Sequence, residues 1–97
     1  MKINLQSLHF KASDNLKEFV DEKVSKLSHF DDKIISADVT LFADDGKSVE
    51  NKVCEIRLIV PGYDDFVKKN GESYEAATLD AVDTLQKLYG EKKIEIK

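Results

Sequence analysis

Few residues in this sequence can carry chemistry, and none stands at a spacing that a reaction requires. The two histidines, His9 and His29, are far apart, and neither neighbours a ligand or nucleophile partner. His29 falls near the end of a helical pattern, where a cation complements the helix dipole. Cys54 is the only cysteine, which excludes an intramolecular disulfide and an all-cysteine metal site. It alternates with Ile56 and Leu58, the pattern of a small buried hydrophobe rather than a reactive thiol. The pairs Asp31-Asp32, Asp44-Asp45 and Asp64-Asp65 gather carboxylates, but hard cations need several oxygens at defined offsets and no such loop occurs. Arg57, the only arginine, lies in a strand pattern, and "PGYDD" holds too little glycine to cradle a phosphate. No enzyme, metal, cofactor or small-molecule substrate is expected. The lysines remain. Lys87, Lys92, Lys93 and Lys97 suggest a nucleic-acid-binding tail, yet Asp83, Glu91 and Glu95 are interspersed among them and Asp80 precedes them by a turn.

The elements that must position these side chains follow from periodicity. Ile3, Leu5, Leu8 and Phe10 nearly alternate with polar residues, predicting a half-buried first strand with a slip near Ser7. From Ser13 or Asp14, either of which can cap a helix, the period lengthens. Leu16, Phe19, Val20, Val24, Leu27 and Phe30 then fall on one stripe. Residues Ile34 to Phe42 alternate again, with Ala37, Val39 and Leu41 on one face. Asp45-Gly46 marks a hairpin connection. Cys54, Ile56, Leu58 and Val60 then share one face of a third strand, and Pro61-Gly62 ends it. "DFVKKN" reads as a short fourth strand whose lysines suit an exposed edge. Ser73 predicts the N-cap of a second helix with Ala77, Ala81, Val82, Leu85, Leu88 and Tyr89 as its stripe. Gly90 predicts its stop.

The expectation is an α+β fold of order β-α-β-β-β-α, a four-stranded mixed sheet with two helices on one face. Asn4, Gln6, Asp38, Thr40, Glu55 and Arg57 would line its open face. Residues 1–90 form a single domain in this reading and residues 91–97 a tail. A length of 97 residues with 41% hydrophobic residues suits one core. The net charge of −4 argues against strong non-specific binding to polyanions, while leaving room for a locally basic face. The N-terminus reads as a strand rather than a secretion signal, and no stretch approaches the ~20 apolar residues of a membrane span. With a lone cysteine, a reducing, cytoplasmic setting is expected.

"MKINLQSLHFKASDNLKEFVDEKVSKLSHFDDKI", "NKVCEIRLIVPG" and "SYEAATLDAVDTLQK" together resemble the ribosome hibernation promoting factor and ribosome-associated translation inhibitor (sigma modulation protein) family, over essentially the whole chain. The resemblance implies a domain similar to a double-stranded-RNA-binding domain, in a short form without a C-terminal dimerisation domain. It implies non-catalytic binding to the small ribosomal subunit and its ribosomal RNA, occlusion of tRNA and mRNA sites, and translation control in stationary or stressed bacteria. By position, Lys23 and Lys26 match basic residues of the family's first helix and Lys87 one of its second, while Lys92 and Lys93 fall beside its basic tail. A lysine can set a mobile ammonium against phosphate and release counterions, giving affinity with little sequence selectivity. Here "QKLYGEKK" stands where relatives continue in arginine, lysine and histidine. Asp80 and Asp83 share the face of Lys87, and Glu22 stands one turn before Lys26. Two alternatives follow. One is a diverged module of the same fold that binds a protein partner through the open sheet face or edge strand. The other is a ferredoxin-like enzyme in which "KIEIK" supplies a last strand.

Overall fold

The computed structural model describes residues 1–30, 32–44, 46, 49 and 51–95, and for residues 63 and 89–95 the backbone alone. Its elements are β1 (Lys2–Ser7), α1 (Asp14–Ser25), a 3-10 turn (Lys26–His29), β2 (Ser36–Ala43), β3 (Lys52–Val60), β4 (Tyr63–Gly71) and α2 (Tyr74–Glu95). The sheet order is β1-β2-β3-β4; β1 and β2 are parallel and the other pairs antiparallel, the mixed sheet that periodicity predicted.

Alternation decides the faces. Ala37, Val39 and Leu41 of β2 and Cys54, Ile56, Leu58 and Val60 of β3 are buried and meet Leu16, Val20, Val24 and Leu27 from the first helical segment. Ala77, Ala81, Val82 and Leu85 of α2 complete the same cluster, so both helices cover one face. Full burial of each branched aliphatic side chain contributes about 1.5–3 kcal/mol. Truncating Ile56, central and fully enclosed, to alanine would cost about 2–5 kcal/mol.

Local chemistry fixes the element ends. The Leu16 amide donates to Ser13 Oγ at 3.1 Å, which selects Ser13 over Asp14 as the cap, and the Ala76 amide donates to Ser73 Oγ at 3.0 Å. The slip near Ser7 is a real break. His9 has φ 67, a left-handed conformation, and the Ser7 hydroxyl donates to the Phe10 carbonyl at 2.9 Å. That turn lays Phe10 on Tyr74, the rings stacked at 4.6 Å, and ties the β1–α1 connection to the start of α2.

Several expected boundaries shift. The first helical stripe stays buried to Leu27, but α1 ends at Ser25 and tightens into the 3-10 turn. Ser25 and Ser28 donate to the carbonyls three residues back, Glu22 and Ser25, and so compete with the α-helical ladder. β4 is longer than "DFVKKN", because Pro61-Gly62 sets Val60 opposite Tyr63 and the register runs on to Lys52 opposite Gly71. Gly90 does not stop the second helix, which continues to Glu95. A helical glycine costs only ~1 kcal/mol against alanine, and the residues on both sides are fair to good helix formers with no proline beyond them. "KIEIK" is therefore helical as far as Glu95 and supplies no last strand there; Ile96 and Lys97 lie outside the described residues, as do Asp31 and Asp45. Leu88, assigned to the apolar stripe, is 37% exposed.

Candidate nucleic-acid interface

The resemblance selects Lys23, Lys26 and Lys87, and the fold brings the first two together at the foot of α1. Lys23 occupies the last turn of α1 and Lys26 opens the 3-10 turn, where their charge complements the helix dipole. The two helices pack side by side. Between them Lys23 and Lys26 line a groove of about 320 Å³ with Leu79, Val82, Asp83 and Gln86 of α2. Lysines on one wall thus face a carboxylate on the other.

The three cations differ in freedom. Lys23 Nζ lies 3.7 Å from Glu22 Oε1 and 5.6 Å from the centre of the Phe19 ring. Glu22 was expected to pair with Lys26 one turn on; the 3-10 tightening after Ser25 breaks that spacing, and the adjacent Lys23 takes its place. Lys26 is exposed and forms no ion pair among the described residues. Lys87 is held at 3.1 Å by Asp83, its i−4 neighbour on α2, with both side chains well exposed. Such a pair is worth only ~0.2–0.5 kcal/mol to the fold, but its carboxylate stands where a phosphate would have to approach Lys87 and repels it. Lys92 and Lys93 lie on the continued α2 backbone; their side chains are outside the described residues.

Other candidate residues have structural places. Cys54 is buried in the sheet, and burial, with a smaller contribution from Glu55, pushes its thiol up from 9.0 to about 11, against a small opposing effect of Thr78. The Thr78 hydroxyl is buried and makes no hydrogen bond of standard geometry, so its contact with Cys54 is a weak one. That thiol is kept protonated and unreactive. Burial also raises the Tyr74 hydroxyl above its ordinary value. His29 sits in the 3-10 turn and is exposed, as is His9. No group of three or more metal-ligating side chains occurs among the described residues, and none of their helices is long and apolar enough to cross a membrane.

The open sheet face carries a feature that residue types alone did not reveal. Register sets Arg57 opposite Phe66, and the guanidinium lies 5.0 Å from the ring centre while its NH1 reaches Asp64 Oδ2 at 3.4 Å. Phe66 is 51% exposed. Lys68 similarly lies 5.7 Å from the Phe42 ring, and Asn4 donates to Asp38 at 2.8 Å. The Pro61-Gly62 turn was the signal that could have found the Arg57–Phe66 pair, because a tight turn fixes which residues lie opposite.

Residues 3–89 match the family described as "Sigma 54 modulation protein / S30EA ribosomal protein". Among solved structures, the chain is similar to the N-terminal domain of Protein Y from Thermus thermophilus, at 27% identity and a TM-score of 0.77, covering 92% of this chain and 96% of that one. It shares its fold with a ribosomal subunit interface protein from Coxiella burnetii, at 17% identity and a TM-score of 0.72, over 100% of both chains. No curated protein sequence matches the chain.

Proposed function

We propose that this chain, which belongs to the Sigma 54 modulation protein / S30EA ribosomal protein family, is a non-catalytic, cytoplasmic ribosome-associated factor that binds the small subunit through its ribosomal RNA. Bound there, it occludes tRNA and mRNA sites and restrains translation in resting or stressed bacteria. The family match across residues 3–89 carries the reading. Lys23 and Lys26 supply the phosphate contacts, with Lys26 the freer cation and Lys87 held back from phosphate by Asp83. Lys92 and Lys93 extend this basic contribution along α2, so the domain of residues 1–90 binds with help from the tail of residues 91–97.

Co-sedimentation with purified ribosomes over a salt series tests this. Binding should fall steeply with salt, and K23E/K26E should weaken it through the same electrostatic term. A folded chain that stays in the supernatant at low salt would remove the proposal.

A second reading has one observation behind it. An exposed Phe66 with the Arg57 guanidinium over its ring has the aromatic and arginine composition of protein-interface anchors. A nuclease-resistant, stoichiometric protein partner lost in F66A, with ribosomes removed, would favour a protein-binding module instead.

A further inference from the structure

Among the described residues neither outer strand of the sheet, β1 or β4, has a second strand beside it, and only one of these edges is guarded. β4 carries Asp64, Asp65, Lys68 and Lys69 along its length, charges that deter another strand. β1 reads KINLQS, with a single charge at its first residue. The amides of Lys2 and Leu8 donate inward to the carbonyls of Ile35 and Leu41 at 3.1 and 2.9 Å. By the period of two, the backbone N–H and C=O groups of Ile3, Leu5 and Ser7 face away from the sheet.

Beside this edge α1 is set back far enough to leave a groove of about 460 Å³. Ile3 and Leu5 supply its accessible apolar surface, fully buried Val20 lies behind them, and Lys17, Glu18 and Asp21 form its charged wall. Ile3 and Leu5 are only partly buried, so the strand offers free backbone groups and apolar side chains together. Lys17 and Asp21 stand one turn apart on that wall and form no ion pair with each other or with any other described residue.

We propose that this edge joins two copies of the chain, β1 against β1 in antiparallel register, into one continuous sheet. The occupant is a second copy because the charges on the wall complement themselves. α1 runs alongside β1, so a two-fold axis through the strand pair exchanges the ends of the helix and sets Lys17 opposite Asp21 of the second copy, and Asp21 opposite its Lys17. Ile3 of each copy then lies against Leu5 of the other, filling the paired grooves with apolar groups. Glu18 stays at the outer rim, in water. Opposite charges that are idle within one chain gain partners, and outward backbone groups complete a ladder.

Sedimentation equilibrium of the ribosome-free chain, from micromolar to millimolar concentration, tests this. The expected result is a reversible doubling of mass, with hydrogen exchange slowing at the Ile3, Leu5 and Ser7 amides as concentration rises. L5K should weaken association at least ~10-fold by setting an ammonium in the apolar pairing. K17D and D21K should each weaken it ~2- to 30-fold, since either breaks both symmetric pairs, and K17D/D21K together should restore it. Circular dichroism establishes that each variant is folded, and the exposed charge variants do not touch the core. A folded chain that remains single at every concentration overturns the proposal, as does a doubling that ignores all these variants. Ribosome co-sedimentation reads Lys23 and Lys26 on the other flank of α1, so the two proposals fail separately.

Discussion

Replacing Asp83 by asparagine should strengthen ribosome binding although it removes an ion pair. In the free chain Asp83 holds Lys87 at 3.1 Å and also lines the groove shared by Lys23 and Lys26. Losing the pair costs the fold little, ~0.2–0.5 kcal/mol, because both side chains are well exposed and the contact is screened. On the complex the effect is larger. If Lys87 is released to a phosphate, one further contact forms, and each adds ~0.7–0.9 to the slope of log affinity against log salt. Relative to 1 M salt, that slope corresponds to ~5- to 8-fold tighter binding at 0.1 M. The assay is ribosome co-sedimentation, or fluorescence anisotropy with a labelled ribosomal RNA fragment, at several salt concentrations. Asp83→Asn should steepen the salt slope by about one contact, and Lys26→Gln should flatten it by the same amount. If Lys26→Gln weakens binding while Asp83→Asn leaves affinity and slope unchanged, α2 does not share the surface, and the assignment of Lys87 is wrong.

Other consequences are thermodynamic. The folded Cys54 thiol ionises near 11 and an exposed thiol near 9.0, so the unfolded chain gives up its proton first. The stability Cys54 contributes is intact below pH 9 and lost as pH rises from 9 to 11, about 2–3 kcal/mol in all; denaturant midpoints of the native chain and Cys54→Ala should converge over that window. Gly90→Ala should raise stability by up to ~1 kcal/mol with a gain in helix signal, since α2 passes through the site; a loss would mean that glycine is needed there as a left-handed cap. Gly71→Ala should lower the melting temperature through ~1–3 kcal/mol of strain, because a Cβ there would lie 2.8 Å from the Ala77 backbone nitrogen, which cannot yield as a flexible side chain would.

Strands and core were legible because their signal is local and repetitive. Ile56 and Leu58 alternate with Glu55 and Arg57 whatever surrounds them, and the buried set on β2 and β3 follows. Ser73 could be recognised as a cap from its position before an apolar stripe, and its hydroxyl does accept the Ala76 amide. The end of α2 was not legible. A glycine after the last periodic leucine has two outcomes separated by ~1 kcal/mol, and the sequence shows the cost of keeping it helical without showing what lies on either side in space. The partner of Glu22 depended on the backbone at the end of α1, where Ser25 and Lys26 take ψ −23 and −22 rather than the helical value near −42°. An α-helical step to Lys26 would have supported one pair, and two serines bonding back to carbonyls favoured another. Of the candidate site, the proximity of Lys23 to Lys26 could be read from one helix, whereas their opposition to Asp83 arises only when α1 and α2 pack.

That packing gives α1 two faces with different electrostatics. Lys23 lies six residues beyond Lys17, which leaves the two about 120° apart around the helix, so one flank turns toward α2 and the other toward the outer edge of β1. The flank toward α2 gathers two lysines against one carboxylate, a locally cationic groove on a chain whose net charge is −4. The flank toward β1 holds one lysine and two carboxylates beside an apolar strand. A polyanion would be drawn to the first and repelled by the second, so an acidic chain can present one orientation to a polyanion. Charge reversal at Lys17 should therefore leave the salt slope of ribosome binding unchanged while reversal at Lys26 alters it. Equal effects from both would mean that net charge, rather than the groove, governs the encounter.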